Sequence, residues 1–289
     1  MLAVGLLCGI AASVLFNVGI ALQAVEAREA PPEDGLRVSL LYGLLRRPRW
    51  IAGLLLGALG VPFEVVAFAS APFVVVEPIL ACGLLVLLAV GVRLLGERPS
   101  VTVVLGVVAI IAGTALVAWG APPHAEQHRG PAAVVAVMAL LVGASLVPFA
   151  LRGTRWDNAL VPNLGSACGF AATNVAAKLL ADDLGSSHYP VAVGWLTVAA
   201  FAGVAATITG MTALQRRPAT TVVPISTAVQ TFLPVALEPL FLIESWRAAE
   251  LGGGVLFAGL LVLLLGTVLV ARTRSVSTLT AGEPAIEPP

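Results

Sequence analysis

Two glutamates stand inside stretches otherwise built from small and apolar residues: Glu64 in "GVPFEVVAFAS" and Glu77 in "APFVVVEPIL". They bracket a short dipeptide, with Glu64 six residues before Ser70 and Glu77 six after Ala71. If the chain turns there, two antiparallel helices rising about 1.5 Å per residue carry both carboxylates to one depth, roughly 9 Å from the turn. Neighbouring carboxylates cannot both ionise cheaply in a low dielectric, and intramembrane acids mark ion and proton pathways. Such a pair suits a proton, a cation or an amine, and Glu64 and Glu77 are also the candidate metal ligands. The alternative is structural, each acid tethering a neighbouring helix.

Further polar residues extend this candidate site. Lys178 is the natural counter-charge to either glutamate, unless its stem reaches for the interface. Asn17, Asn174 with Thr173, and Gln230 are candidate substrate or ion ligands, although each type also serves in helix–helix hydrogen bonds. Glu238 reads as interfacial. Pro78 follows Glu77, removes a backbone donor and frees a carbonyl near Val74. Pro224, with Pro234 beyond Gln230, is its counterpart. Irregular backbone at membrane depth is tolerated where it lines a cavity, so Pro78 and Pro224 are read as helix breaks at the walls of one polar site.

The elements that must hold these residues follow from composition. Hydrophobic residues form 58% of the 289 and charged residues 11%, against about 25% charged in soluble proteins. Uncharged runs of about 20 residues recur, each long enough to cross a bilayer. The expectation is an all-α polytopic membrane protein with nine spans near 2–26, 50–69, 72–92, 101–119, 131–151, 158–180, 190–212, 218–242 and 251–271. Residues 1–26 lack the basic start of a signal peptide and are read as the first span. The tail 272–289 reads as disordered and cytoplasmic. Cys8, Cys82 and Cys168 lie in apolar runs as packing residues, without disulfide or metal spacing. Trp50, Trp119 and Trp246 fall at span ends and read as interface anchors.

Charge then orients the chain. Alternate loops hold thirteen arginines, from Arg28 to Arg274, whereas the opposite loops hold only Arg129 and Arg247. Cytoplasmic loops carry the excess of basic residues, which puts the N-terminus outside and the C-terminus inside.

The apolar runs also contain a repeat. "SAPFVVVEPI" at 70–79 matches "RRPATTVVPI" at 216–225, and "CGIAAS" at 8–13 matches "CGFAAT" at 168–173. Glu97 in "LLGERP" and Glu244 in "FLIESW" each end the following helix, and "GVVAIIAGTALVA" from Gly106 matches "GLLVLLLGTVLVA" from Gly259. Four matches in one order give a 4+1+4 arrangement: repeat one at 1–120, a linking helix at 131–151 and repeat two at 158–271, in a single transmembrane domain over 1–271. The odd linking helix inverts the second copy, a construction typical of alternating-access transporters.

"LLRRPRWIAGLLLGALG", "AFASAPFVVVEPI", "GERPSVTVVLGVVAIIAGTALVAWGAP", "CGFAATNVAAKLL" and "TALQRRPATTVVPIS" resemble the NIPA-type branch of the drug/metabolite transporter superfamily. The resemblance runs over roughly 1–271 and implies nine helices and transport, with magnesium the cargo associated with animal members. The acid that this pattern carries in the second helix falls near Val61, and here the acid is Glu64, one turn later. Lys178 matches a lysine of the pattern.

The expected function is a secondary transporter of the cell membrane, moving a small solute or cation by alternating access. A magnesium or divalent-cation transporter is one alternative and a non-transporting membrane scaffold the other. Proton coupling and pairing of two copies stay open. Nothing resembles a nucleophile elbow, a metalloprotease motif or a phosphate-cradling loop, so no enzyme and no cofactor are expected. Zero net charge gives no electrostatic case for nucleic acid.

Cysteines introduced into the loop 27–49 are predicted to react with a membrane-impermeant reagent only from the cytoplasm, and cysteines in 181–189 only from outside. The opposite labelling pattern would overturn both the orientation and the inversion.

Overall fold

Prolines open several of the helices. Pro48, Pro131 and Pro190 sit in first turns, where a missing N–H removes no helical bond. The computed structural model describes residues 2–71, 73–120, 130–185, 187–241 and 250–272. Its helices are α1 (Leu2–Arg28), the short α2 (Val38–Leu44), α3 (Pro48–Ser70), α4 (Phe73–Ala81), α5 (Gly83–Leu94) and α6 (Val101–Gly120). They continue as α7 (Pro131–Leu151), α8 (Leu160–Gly185), α9 (Tyr189–Arg216), α10 (Ala219–Phe241) and α11 (Gly254–Arg272). There is no strand among the described residues.

Eight helical segments of the described chain, with α4 and α5 counted as one, are long and apolar enough to cross a membrane. The protein is an all-α polytopic membrane protein. The expected span at 158–180 corresponds to α8, which has 26 residues but is more polar than the rest because it carries Asn163, Ser166, Thr173 and Asn174. It packs against α7, α9 and α10. The tail from 273 onward lies outside the described residues.

The expected span at 72–92 is two helices, and its interruption corrects the expected break at Pro78. Helix α4 passes through Pro78, and the Cys82 N–H still reaches the Pro78 carbonyl at 2.9 Å. The ladder changes step four residues later, where the Leu85 N–H bonds the Cys82 carbonyl. The cause is α1. Ser13 donates its hydroxyl to the Leu80 carbonyl at 3.1 Å, and a Cβ at Gly83 would meet the Asn17 and Ser13 side chains at 2.1 and 2.4 Å. Cys82 itself is exposed, not a packing residue.

Pro224 does not break its helix either. Helix α10 runs continuously from Ala219 to Phe241. One lost donor is outweighed by side chains that hold the start of this helix: Glu97 accepts from its first N–H groups, and Asn163 donates to the Val222 carbonyl at 3.2 Å.

The packing of α1, α3, α4–α5 and α6 recurs in α8, α9, α10 and α11. Helix α1 lies against α3 as α8 lies against α9, and α4 meets α6 as α10 meets α11. The two sets meet along α6 and α11, which run antiparallel with almost nothing between their backbones. Gly106, Gly113 and Gly120 recur every seven residues on α6, facing Gly266, Leu263 and Leu256. Small residues allow this close approach, on which membrane helices rely in place of a hydrophobic driving force.

A Cβ at Gly113 would sit 2.6 Å from the Leu263 main-chain nitrogen. Gly113→Ala is therefore expected to cost about 1–3 kcal/mol through overpacking, seen as a melting temperature several degrees lower in detergent. Gly143 on α7 has nothing within 4 Å of its Cβ position, so Gly143→Ala should leave stability unchanged or raise it by about 0.5–1 kcal/mol. Equal effects of the two would show that the seam is not tightly packed.

Candidate functional site

A cavity of about 820 Å³ lies between α1, α3 and α4 on one side and α8, α9 and α10 on the other, with α6 and α11 behind it. That volume falls within the roughly 300–1,000 Å³ of small-molecule sites. The chain turns between α3 and α4 at Ala71, whose backbone is extended, and the two helices barely touch each other while α1 packs against both. Glu64 and Glu77 both line the cavity. Neither has a hydrogen-bond or ion-pair partner among the described residues.

The other candidates are placed as follows. Asn174 on α8 and Gln230 on α10 line the same cavity, and Asn174 is exposed within it. Asn17 also lines it, but its amide nitrogen donates back to the Ser13 carbonyl at 2.9 Å. Thr173 is committed to the Gly169 and Ala199 carbonyls, bridging α8 to α9. Lys178 lies on α8 one turn beyond Asn174, and its side chain, like that of Glu238, lies outside the described residues. Pro78 and Pro224 are not in the wall; Glu77, Ser226 and Thr227 beside them are.

Several contributors were not legible in the sequence. Asn163 donates to the Val222 carbonyl and accepts from Ser226, which fixes the α8–α10 wall. Phe16 and Phe170 face the space from α1 and α8. Thr114 on α6 lines the cavity, is only 2% exposed, and holds the one fully buried side-chain polar atom without a partner among the described residues. Its repeat counterpart Thr267 bonds the Leu263 carbonyl at 2.8 Å. Trp50 is not an interface anchor: it is 2% exposed, lines the cavity and donates its indole N–H to the Met211 sulfur at 3.4 Å. Trp119 is exposed, as an anchor should be, and Trp246 lies outside the described residues.

The two ends of the bundle differ. At the arginine-rich end, one apolar cluster joins Ala24, Leu40 and Trp50 to Met211, Leu214 and Val222, and another joins Leu84, Leu87 and Leu88 to Ile225 and Ala228. Polar bonds add to them: the Leu36 N–H donates to Thr212, and Gln215 donates to the Pro31 carbonyl. At the other end the clusters separate. One contains only Ala67, Ala71 and Val76 with neighbouring Cys8 and Leu80, and another only residues of α7, α8, α9 and α10. Apart from the α6–α11 seam and its α10 neighbours, the halves are joined at one end and parted at the other among the described residues.

The family model for "Magnesium transporter NIPA" matches residues 1–152, slightly more than half of the chain. The match takes in α1 to α7 and with them Asn17, Glu64 and Glu77. No curated protein and no solved structure matches.

Proposed function

Because the chain belongs to the NIPA magnesium transporter family, we propose that it carries a hydrated divalent cation, magnesium, through its central cavity by alternating access. The observation that carries this reading is the pair of carboxylates, Glu64 and Glu77, that line one cavity without a partner among the described residues. Magnesium dehydrates reluctantly, keeps several waters and takes one or two carboxylates. Two acids and a few amides set in a largely apolar wall match that habit. Asn174, Gln230 and Asn17 would receive the water shell, as amides that both donate and accept. Lys178, one turn from Asn174, is the candidate counter-charge when the cation leaves.

The two matching sets of helices act in this reading as an inverted repeat that rocks about the α6–α11 seam. In the cell membrane the arginine-rich end faces the cytoplasm, and the cavity of this conformation belongs to the outward-facing side. The scaffold alternative calls for a solid interior with both glutamates paired, and the cavity and the unpartnered acids weigh against it. A second reading draws on the aromatic part of the wall. Phe16 and Phe170 suit an organic cation, with proton exchange at the same glutamates.

Uptake into proteoliposomes separates these readings. Glu77→Gln keeps the shape of the side chain and removes its charge, and it should reduce magnesium uptake at least tenfold while the protein still inserts and melts cooperatively. Glu64→Gln should reduce uptake less, because this acid stands one turn later than the acid that the family pattern carries near Val61. Magnesium uptake by Glu77→Gln equal to that of the unaltered protein would sink the site. Uptake of organic cations but not of magnesium would select the second reading.

A further inference from the structure

Helix α10 begins in a place where water is scarce, and its first N–H groups are held by a side chain from the other half of the molecule. Glu97 accepts from the Ala219 N–H at 2.7 Å through one carboxylate oxygen and from the Thr220 N–H at 2.9 Å through the other. Arg28, at the end of α1, pairs with the same carboxylate. The Glu97 side chain is 5% exposed. An anion at a helix N-terminus is favoured both by the unpaired N–H groups and by the helix dipole.

The local sequence explains how Glu97 arrives there. Gly96 takes a positive φ of 63° and turns the chain back over the end of α5. The Glu97 N–H then bonds the Gly91 carbonyl at 3.0 Å. Gly91 leaves the room this requires, since a Cβ there would lie 2.8 Å from the Thr220 methyl and 3.4 Å from the Glu97 carboxylate. The result is a three-part closure across the halves, built from α1, the α5–α6 turn and the start of α10.

We infer that Glu97 is the closing residue of the arginine-rich end: its carboxylate, balanced by Arg28, holds α10 against α5 and must release it before the cavity opens to that side. The physical reason is satisfaction of the backbone. While this end is closed, a carboxylate replaces water at the Ala219 and Thr220 N–H groups. Once α10 swings away, the vestibule that opens supplies the water instead. Leaving those N–H groups bare in between is what opposes the motion. The inference rests on the alternating-access reading but not on the identity of the cargo.

Two arms test it in proteoliposomes, with Cys8, Cys82 and Cys168 replaced by serine. In the first, Asn174→Cys reports entry of a membrane-impermeant maleimide into the cavity from each face. Adding Glu97→Gln should raise its labelling from the arginine-rich face at least fivefold and lower it from the other. Unchanged labelling in a folded protein would overturn the inference. In the second, Gly91→Cys with Thr220→Cys removes the Thr220 methyl and sets two thiols across the closure. Oxidation should stop magnesium uptake, and reduction should restore it. Full uptake in the cross-linked state would overturn the inference even if Glu97→Gln fails to fold. Reduced protein that moves no magnesium would count against the cargo alone, and the labelling arm would still decide the closure.

Discussion

In hydrocarbon no water is available for a free N–H or carbonyl, so each polar group must find its partner inside the protein. Most of this chain obeys by keeping its hydroxyls close to home. Thr207, Thr209, Thr212, Thr231 and Thr267 all bond the carbonyl four residues back. Ser13, Asn163 and Ser166 reach carbonyls of neighbouring helices and fix how those helices cross. Against that background the groups without a partner among the described residues stand out: Glu64, Glu77, Asn174, Gln230 and the hydroxyl of Thr114, all around one cavity.

The distribution of apolar contact does the complementary work. The α6–α11 seam brings backbones together at its glycines, with Val107, Ile110, Leu263 and Val270 buried between the two helices. The arginine-rich end supplies apolar contacts between the halves that the other end lacks among the described residues. Site and closure are joined through α10. Its first turn is held by Glu97, while Ser226, Thr227 and Gln230 further along face the cavity.

How much of this was legible depended on whether a feature is local. A turn about Ser70–Ala71 with Glu64 and Glu77 on either side follows from counting residues, and both acids line one cavity, although α3 and α4 barely touch. The helical architecture follows from apolar run lengths. Pro78 and Pro224 misled because a proline removes one hydrogen bond, and whether a helix breaks depends on what neighbouring helices supply: Ser13 bonds Leu80 at one place and Asn163 bonds Val222 at the other. Trp50 misled in the same way, since a tryptophan near a span end is an anchor only if no other helix covers it, and here Met211 does. The role of Glu97 was hidden because its partners are main-chain groups 122 and 123 residues away, which no spacing rule connects. What marked it was only its place in the repeat.

Those main-chain partners have an evolutionary corollary. Arg28 meets Glu97 through its side chain, and changing it alters the bond. Ala219 and Thr220 offer nothing but N–H groups, which every amino acid except proline carries. Side-chain chemistry at 219 and 220 is therefore immaterial to these two bonds, and what restricts these positions is room: Ala219 is fully buried and the Thr220 methyl lies over Gly91, so only small residues fit. Among small residues at these two positions, proline is the one that would delete a bond outright.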